Sequence, residues 1–410
     1  RRPQRSTLFP YTTLFRSGAV NALPAALRNY TDNGAHPEGV MYWEYASSFS
    51  VLALACLEAA CRTDFGLLDA HPGYLRALEF VEAMHGPTGW FFNYSDSSMT
   101  PRRYLSPQSF WMADKLDKPG LANPIYDRIE SMPLAPAARL AVFGLLWMPS
   151  EKPSLTEFPL SYQADGKTPV ATHRSSWNDP NATFIGLKGG SPSGPHAHMD
   201  GGSFIFESDG NRWAIDLGLQ DYESIEKRGM KLWSKDQDSD RWTIFRLNCR
   251  SHSTLVVNDQ LHSVDGSAEF IASSAGESVL DMTSLFQSQL KSAQRSVRIL
   301  PDRRAVICDE LSALHTEATV RWAMLTTATV VVNGNEAMLS QNGKTLHLAI
   351  NEPAGATLEI FPADPPPQEY DSPNPGASLV GFRVRLAADA VEKLAVLLTP
   401  GSVRTAEASG

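Results

Sequence analysis

The hydrophobic and polar positions of this chain follow two successive periods. From Tyr42 to about Met148 they repeat as on helices. Ser48 to Ala60 has apolar residues at i, i+3 and i+4, which puts Phe49, Leu52, Ala53, Cys56 and Leu57 on one side. Pro72 to Met84 repeats the pattern after His71-Pro72, where proline suits a first helical turn, and Ala137 to Trp147 is a third candidate. The aromatic-rich segments Trp90-Phe91-Phe92-Asn93-Tyr94 and Phe110-Trp111 read as loops between helices. Their rings would either line a sugar-binding cleft or, taken singly, cement helix pairs. Pro149 to Lys167 reads as a linker.

Beyond it the period becomes two. Thr168–Trp177, Ala182–Lys188, Gly202–Glu207, Arg212–Leu217 and Ser253–Val257 alternate or run β-branched, as do Thr319–Val332, Thr345–Ile350 and Leu379–Arg385. Gln294–Leu300 and Arg304–Asp309 flank Pro301-Asp302-Arg303, a hairpin signal. Helices first and many strands afterwards predict an α+β protein ending in a large antiparallel β-sandwich. The expected division is a partial helical domain over 18–150 and a sheet domain over 151–410. Residues 1–17 stand apart. Thr7 to Ser17 reads as the direct translation of a common short-read sequencing adapter, so this segment is expected to be an assembly scar, with the natural chain starting upstream.

Composition narrows the function. A chain of 410 residues with a net charge of −9 has no general attraction for nucleic acid or an anionic membrane, so an acidic ligand needs a local basic pocket. No apolar run reads as long enough to span a bilayer. Cys56, Cys61, Cys249 and Cys308 lack metal-type spacing. The first two are expected to be buried thiols on the Ser48–Ala60 helix.

The densest chemistry is Gly194-Pro195-His196-Ala197-His198-Met199-Asp200-Gly201-Gly202. On an extended strand, residues two apart share a face, so His196, His198 and Asp200 are expected to project together. Asp216 follows from the strand after the turn Ser208-Asp209-Gly210-Asn211, and His252 precedes another strand. Imidazoles and carboxylates in this pattern suit zinc or a similar divalent ion. An isolated His-X-His is more readily a surface accident or two satisfied polar residues; the Gly/Ser/Pro loop before this one and the alternating strand after it favour a site.

The ordered series Thr172-His173-Arg174-Ser175-Ser176-Trp177, Ser193 to Gly218, and Ser251 to Val257 resembles the heparinase II/III-like polysaccharide lyases. Upstream, Pro37-Glu38-Gly39-Val40-Met41-Tyr42-Trp43-Glu44-Tyr45 is similar to their Glu-Gly-x-x-Tyr-x-x-Tyr segment. The resemblance implies an incomplete (α/α) toroid followed by an antiparallel β-sheet domain. It also implies a structural zinc on His198, Asp216 and His252, with Tyr42 and His196 as catalytic residues and Tyr45 as the alternative tyrosine. One departure falls at Ser253, where the family commonly has Asn. The family also carries an Asn or His on a helix well before the tyrosine. Asn33 and His36 lie too close to Tyr42 to serve, so this chain by itself is expected to turn over poorly or not at all.

The chemistry asks for the same side chains. A uronic acid C5 proton becomes removable once its carboxylate charge is offset, and the departing glycosidic oxygen needs a proton. Tyrosine and histidine serve as acid or base. Arg174 is a candidate carboxylate clamp or simply a strand charge. Tyr45, Tyr222 and Arg241 are further substrate-binding candidates, and Arg241 lies in the basic stretch Lys227 to Arg250, which Asp236, Asp238 and Asp240 dilute. The leading reading is a secreted or periplasmic lyase acting on an acidic polysaccharide or oligosaccharide, with no nucleic-acid or membrane partner. A non-catalytic glycan-binding module and a metal-dependent cupin-like oxygenase are the alternatives.

Overall fold

A computed structural model describes residues 10–99, 106–126, 140–154 and 158–408. The chain forms two compact units that interleave in sequence. A helical unit takes the chain up to His36, Met41–Glu82 and the stretch 103–157; a sheet unit takes Pro37–Val40, 83–102 and Phe158 onward.

The helices are α1 (Pro10–Leu27), α2 (Gly39–Cys61), α3 (Leu67–Ala70), α4 (Pro72–Ala83) and α5 (Gln108–Lys115). The expected helix before Trp147 is a 3-10 turn, Ala141–Phe143, and a short helix, α6 (Gly144–Trp147); its earlier part falls outside the described residues. The α2 face differs from the expected one. Trp43, Val51, Leu54 and Leu57 are buried, whereas Phe49 and Cys56 are exposed and Cys61 is half-buried. The segment is apolar on every side, so periodicity left its phase undetermined. At 23 residues α2 is also long and apolar enough to cross a membrane, which corrects the expectation that no such run exists. It packs against α4, where the Ser50 hydroxyl lies 2.7 Å from that of buried Tyr74. Phe110 and Trp111 are buried on α5 rather than displayed in a loop.

The sheet unit holds three antiparallel sheets. Five strands lie in sequence order: β1 (Ser161–Ala164), β2 (Val170–Arg174), β3 (Phe184–Lys188), β4 (Phe204–Ser208) and β5 (Asn211–Ala214). β1 lies inside the expected linker and pairs Ser161 with His173. A four-stranded sheet has the order Glu359–Pro362 (β15), Ser378–Leu386 (β16), Ala318–Thr326 (β11) and Leu255–Val257 (β6). The third sheet has eight strands. Its order runs Thr329–Asn333 (β12), Glu336–Gln341 (β13), Lys344–Glu352 (β14), Val391–Pro400 (β17), Ala305–Ala313 (β10), Leu290–Ile299 (β9), Glu277–Asp281 (β8) and Glu269–Ser274 (β7). Thr319–Val332 is thus two strands in different sheets. The sequence reading also passed over β7, β8, β13, β15 and β17.

Turn chemistry fixes the register. Asp209 and Gly210 both have positive φ, 51° and 74°, so the two-residue loop pairing Ser208 with Asn211 carries the twist that hairpins require. One core joins all three sheets: Ile185 and Phe204, then Val297, Ile307 and Leu398, then Trp322 and Phe382, each at most 1 % exposed. Arg295 crosses this core. Its guanidinium pairs with Asp309 (2.8 and 2.9 Å) and donates to the carbonyls of Gly202 (2.6 Å) and Ser253 (2.9 Å).

Two expectations follow. Arg295→Ala strands a buried carboxylate and should cost about 3–5 kcal/mol in urea unfolding, and replacing Arg295 and Asp309 together by Met and Leu should recover most of it. His36, His173 and His262 are buried, and burial lowers each imidazole from 6.5 to about 4. Between those values the unfolded chain holds more protons than the folded one. Stability is therefore complete above about pH 6.5 and falls as the pH drops toward 4. His173→Gln should remove its share of that slope in urea midpoints measured across the window.

Candidate acid–base cluster and metal centre

The site is carried by four segments of the sheet unit. The first, 83–99, lies against the five-stranded sheet. Thr172 Oγ1 donates to the Ala83 carbonyl (3.1 Å), and Arg212 donates to the carbonyls of Phe91 (2.6 Å) and Trp90 (3.0 Å). Glu207 pairs with Arg212 (2.7 Å) and accepts from the Thr88 N–H (3.0 Å). Gly186 is where the sheet admits this segment, since a Cβ there would lie 2.6 Å from the Phe92 ring. Phe91, Phe92 and Tyr94 are consequently buried in the core rather than lining an open cleft.

The second segment is 194–202. It is not the strand expected. His196 has φ 51°, and the extended run begins only at Phe204. Strict alternation therefore fails, and Asp200 parts from the two histidines. Asp200 is fully buried and its partner is Lys188 Nζ at 2.5 Å, so it belongs to an ion pair. His198 is fully buried, while the His196 side chain is 23 % exposed.

Both histidines meet one carboxylate that the sequence reading missed. Asp96 Oδ1 lies 2.9 Å from His198 Nε2, and Asp96 Oδ2 lies 3.0 Å from His196 Nδ1. The Tyr222 hydroxyl donates to Asp96 Oδ2 at 2.6 Å and sits 3.0 Å from His196 Nδ1. Tyr222 opens a short helix, α7 (Tyr222–Glu226), capped by Asp221. Burial works to raise the Asp96 pKa, but the two histidines and the Arg241 guanidinium 3.9 Å away hold it well below the usual carboxylate range. His196 also meets half-exposed Trp233, edge-on at 5.5 Å, and Glu38, whose Oε2 is 3.9 Å from Nε2. Burial raises the Glu38 pKa, with the charges of His196, Lys167 and Lys235 acting against it.

The third and fourth segments bring Asp216, two residues beyond β5, and His252, ahead of β6, to His198. Ligand atoms of the three lie within 4.8 Å of one another, and all three residues are buried. His252 Nδ1 is 2.7 Å from Asp216 Oδ2. Burial would lower the His252 pKa, but the Asp216 charge raises it overall, and the same pair lowers Asp216 against its own burial. His198 Nδ1 and His252 Nε2 are buried with no hydrogen-bond partner among the described residues. Two imidazole lone pairs beside a carboxylate fit a divalent metal by donor type. The Ser253 hydroxyl accepts the Leu325 N–H at 3.0 Å.

The remaining candidates are placed differently. Arg174 is buried against the Trp177 ring (3.2 Å) and donates to the His85 carbonyl (2.6 Å), so it presents no open carboxylate clamp. Arg241 is likewise buried and donates to the Ala197 carbonyl at 2.7 Å, supporting the histidine loop. Tyr42 and Tyr45 lie on α2; Tyr45 is 61 % exposed and packs edge-on to Phe49.

Residues 171–380, just over half of the chain, match the heparinase II/III-like C-terminal family, and the chain belongs to that family. The fold is similar to that of a heparinase III gene product with methylated lysines, at TM-score 0.71 and 15% identity over 96% of this chain and 56% of that one. Another heparinase III structure gives 0.70 and 15% over 95% and 58%, and the heparan sulfate lyase from Pedobacter heparinus gives 0.65 and 16% over 96% and 57%. The chain thus spans little more than half the length of these structures. No curated protein sequence matches it.

Proposed function

We propose that this protein is a polysaccharide lyase that cleaves a uronate-containing glycan by β-elimination. The observation that carries the reading is the partly open His196 ring, backed by a buried carboxylate and a phenol and flanked by exposed Trp233. A base takes the C5 proton of the uronate, the electron pair forms the C4–C5 double bond, and the C4–oxygen bond breaks. The leaving oxygen then takes a proton. His196 Nε2, the ring nitrogen not turned to Asp96, is one of the two proton-transfer groups. Tyr42, assigned by resemblance, is the other, and the helices that carry it are read as part of an incomplete (α/α) toroid. The apolar face of Trp233 suits a sugar ring. Lys235, which donates to the Ser193 carbonyl at 2.6 Å, and Lys167 contribute positive charge near Glu38 for a substrate carboxylate. A substrate of this size supports a secreted or periplasmic setting.

His198 Nδ1, His252 Nε2 and Asp216 would hold a zinc ion. That ion would tie three segments of the sheet unit together, adding directly to folding stability. Burial of all three residues favours this structural role over an oxygenase, whose metal keeps an open position.

A longer reading frame containing this chain, mixed with heparan sulfate, chondroitin, hyaluronan and alginate, should raise ultraviolet absorbance on at least one. His196→Ala and Tyr42→Phe should each lower the initial rate about 10²–10⁴-fold. A flat trace on every polymer, from this chain and from a longer reading frame containing it, would defeat the proposal. Independently, elemental analysis should find zinc in the wild type and none in His198→Ala or His252→Ala. Both variants should also melt at lower temperature; full zinc retention would remove the assignment.

A further inference from the structure

We propose that Asp96 is a positioning residue that sets two imidazoles at once. It holds His196 with the proton on Nδ1, leaving Nε2 to exchange a proton with substrate. It holds His198 with the proton on Nε2, leaving Nδ1 for a divalent metal. The inference rests on the lyase reading for its first half and on the metal reading for its second.

The geometry is that of a bridge. The Asp96 carboxylate is fully buried, and its two oxygens face different rings, at 3.0 Å from His196 Nδ1 and 2.9 Å from His198 Nε2. An ionised carboxylate has lone pairs and no hydrogen, so each ring nitrogen turned toward it must carry the proton. In a neutral imidazole the other nitrogen then bears the lone pair. For His198 that nitrogen is Nδ1, the buried atom left without a hydrogen-bond partner. For His196 it is Nε2, which lies 3.9 Å from Glu38 Oε2.

Backbone contacts fix the carboxylate against everything it serves. The Asp96 N–H donates to the His196 carbonyl (3.2 Å), the Ser95 N–H to Asp200 (3.3 Å), and Asn93 Nδ2 to the Asp216 carbonyl (3.1 Å). Asparagine at this position would offer one acceptor and one donor, so it could keep only one of the two rings as it is. The proton-transfer group and the metal ligand are thereby coupled through a single side chain.

The test reads tautomers directly. In metal-free protein labelled with ¹⁵N-histidine, long-range proton–nitrogen spectra, assigned with His196→Gln and His198→Gln, should show His196 protonated on Nδ1 and His198 on Nε2. Asp96→Asn should switch one of these tautomers while leaving the circular dichroism spectrum intact. Zinc affinity, measured by competition with a chromophoric chelator, should fall in that variant about ten- to hundredfold if His198 is the ring that switches, or the rate should fall with affinity kept if it is His196. A wild-type spectrum with either ring in the opposite tautomer overturns the proposal, even should Asp96→Asn fail to fold. So does an Asp96→Asn protein with both tautomers, zinc affinity and rate unchanged. A wild type that binds no zinc overturns the His198 half. Neither spectrum nor zinc affinity needs turnover, so the predicted tautomers in a protein inactive on every glycan would count against the lyase reading alone.

Discussion

Arg212 fastens the segment 83–99 to the face of the five-stranded sheet, and the rest of the site depends on that fastening. The guanidinium is buried, so its charge must be answered by Glu207 and its remaining N–H groups by backbone carbonyls. Those carbonyls belong to Trp90 and Phe91, a few residues before Asp96. A desolvated cation with few geometric options thereby decides where a loop carboxylate about a hundred residues upstream will sit. Gly186 contributes by what it lacks, since any side chain there would displace Phe92 and lift the segment away.

The interior around the site is unusually rich in charge. Lys188 with Asp200, Arg212 with Glu207, Arg295 with Asp309, and Asp216 with His252 are all desolvated pairs within one unit. Such pairs add little net stability compared with apolar packing, but removing one partner from any of them is costly. Their effect is to make geometry specific. Each segment that carries a site residue, 93–97, 196–200, 216 and 252, is tied to its neighbours by polar contacts of fixed direction. A ring held in this way has a defined tautomer, which is what both proton transfer and metal ligation ask of an imidazole.

The likeness to the heparinase III structures persists at 15% identity. A fold can persist through such exchange because many apolar residues of similar volume satisfy the same packing. The polar contacts at the site tolerate less exchange, because each depends on a particular donor meeting a particular acceptor. Ser253 makes one such contact: its hydroxyl accepts the Leu325 N–H at 3.0 Å.

The α+β order of the chain was written in its periodicity, because burial on one face leaves a trace at every second or every third and fourth residue. The Asp209-Gly210 turn and the hairpin around Pro301-Asp302-Arg303 were legible for a similarly local reason: backbone conformation there follows from a few neighbouring residues. Residue type and places next to strands pointed to His196, His198, Asp200, Asp216 and His252 together, and only the family resemblance narrowed them to His198, Asp216 and His252. The phase of α2 was not legible, since a helix apolar on all sides leaves its buried face to whatever packs against it. Nor was the separation of Asp200 from the two histidines, because a left-handed residue at His196 interrupts the alternation from which a common face was inferred. Asp96 was beyond sequence reasoning altogether. Nothing local marks an aspartate after Tyr94-Ser95 as the partner of two histidines a hundred residues later; only the packing of one segment onto a distant sheet makes it one.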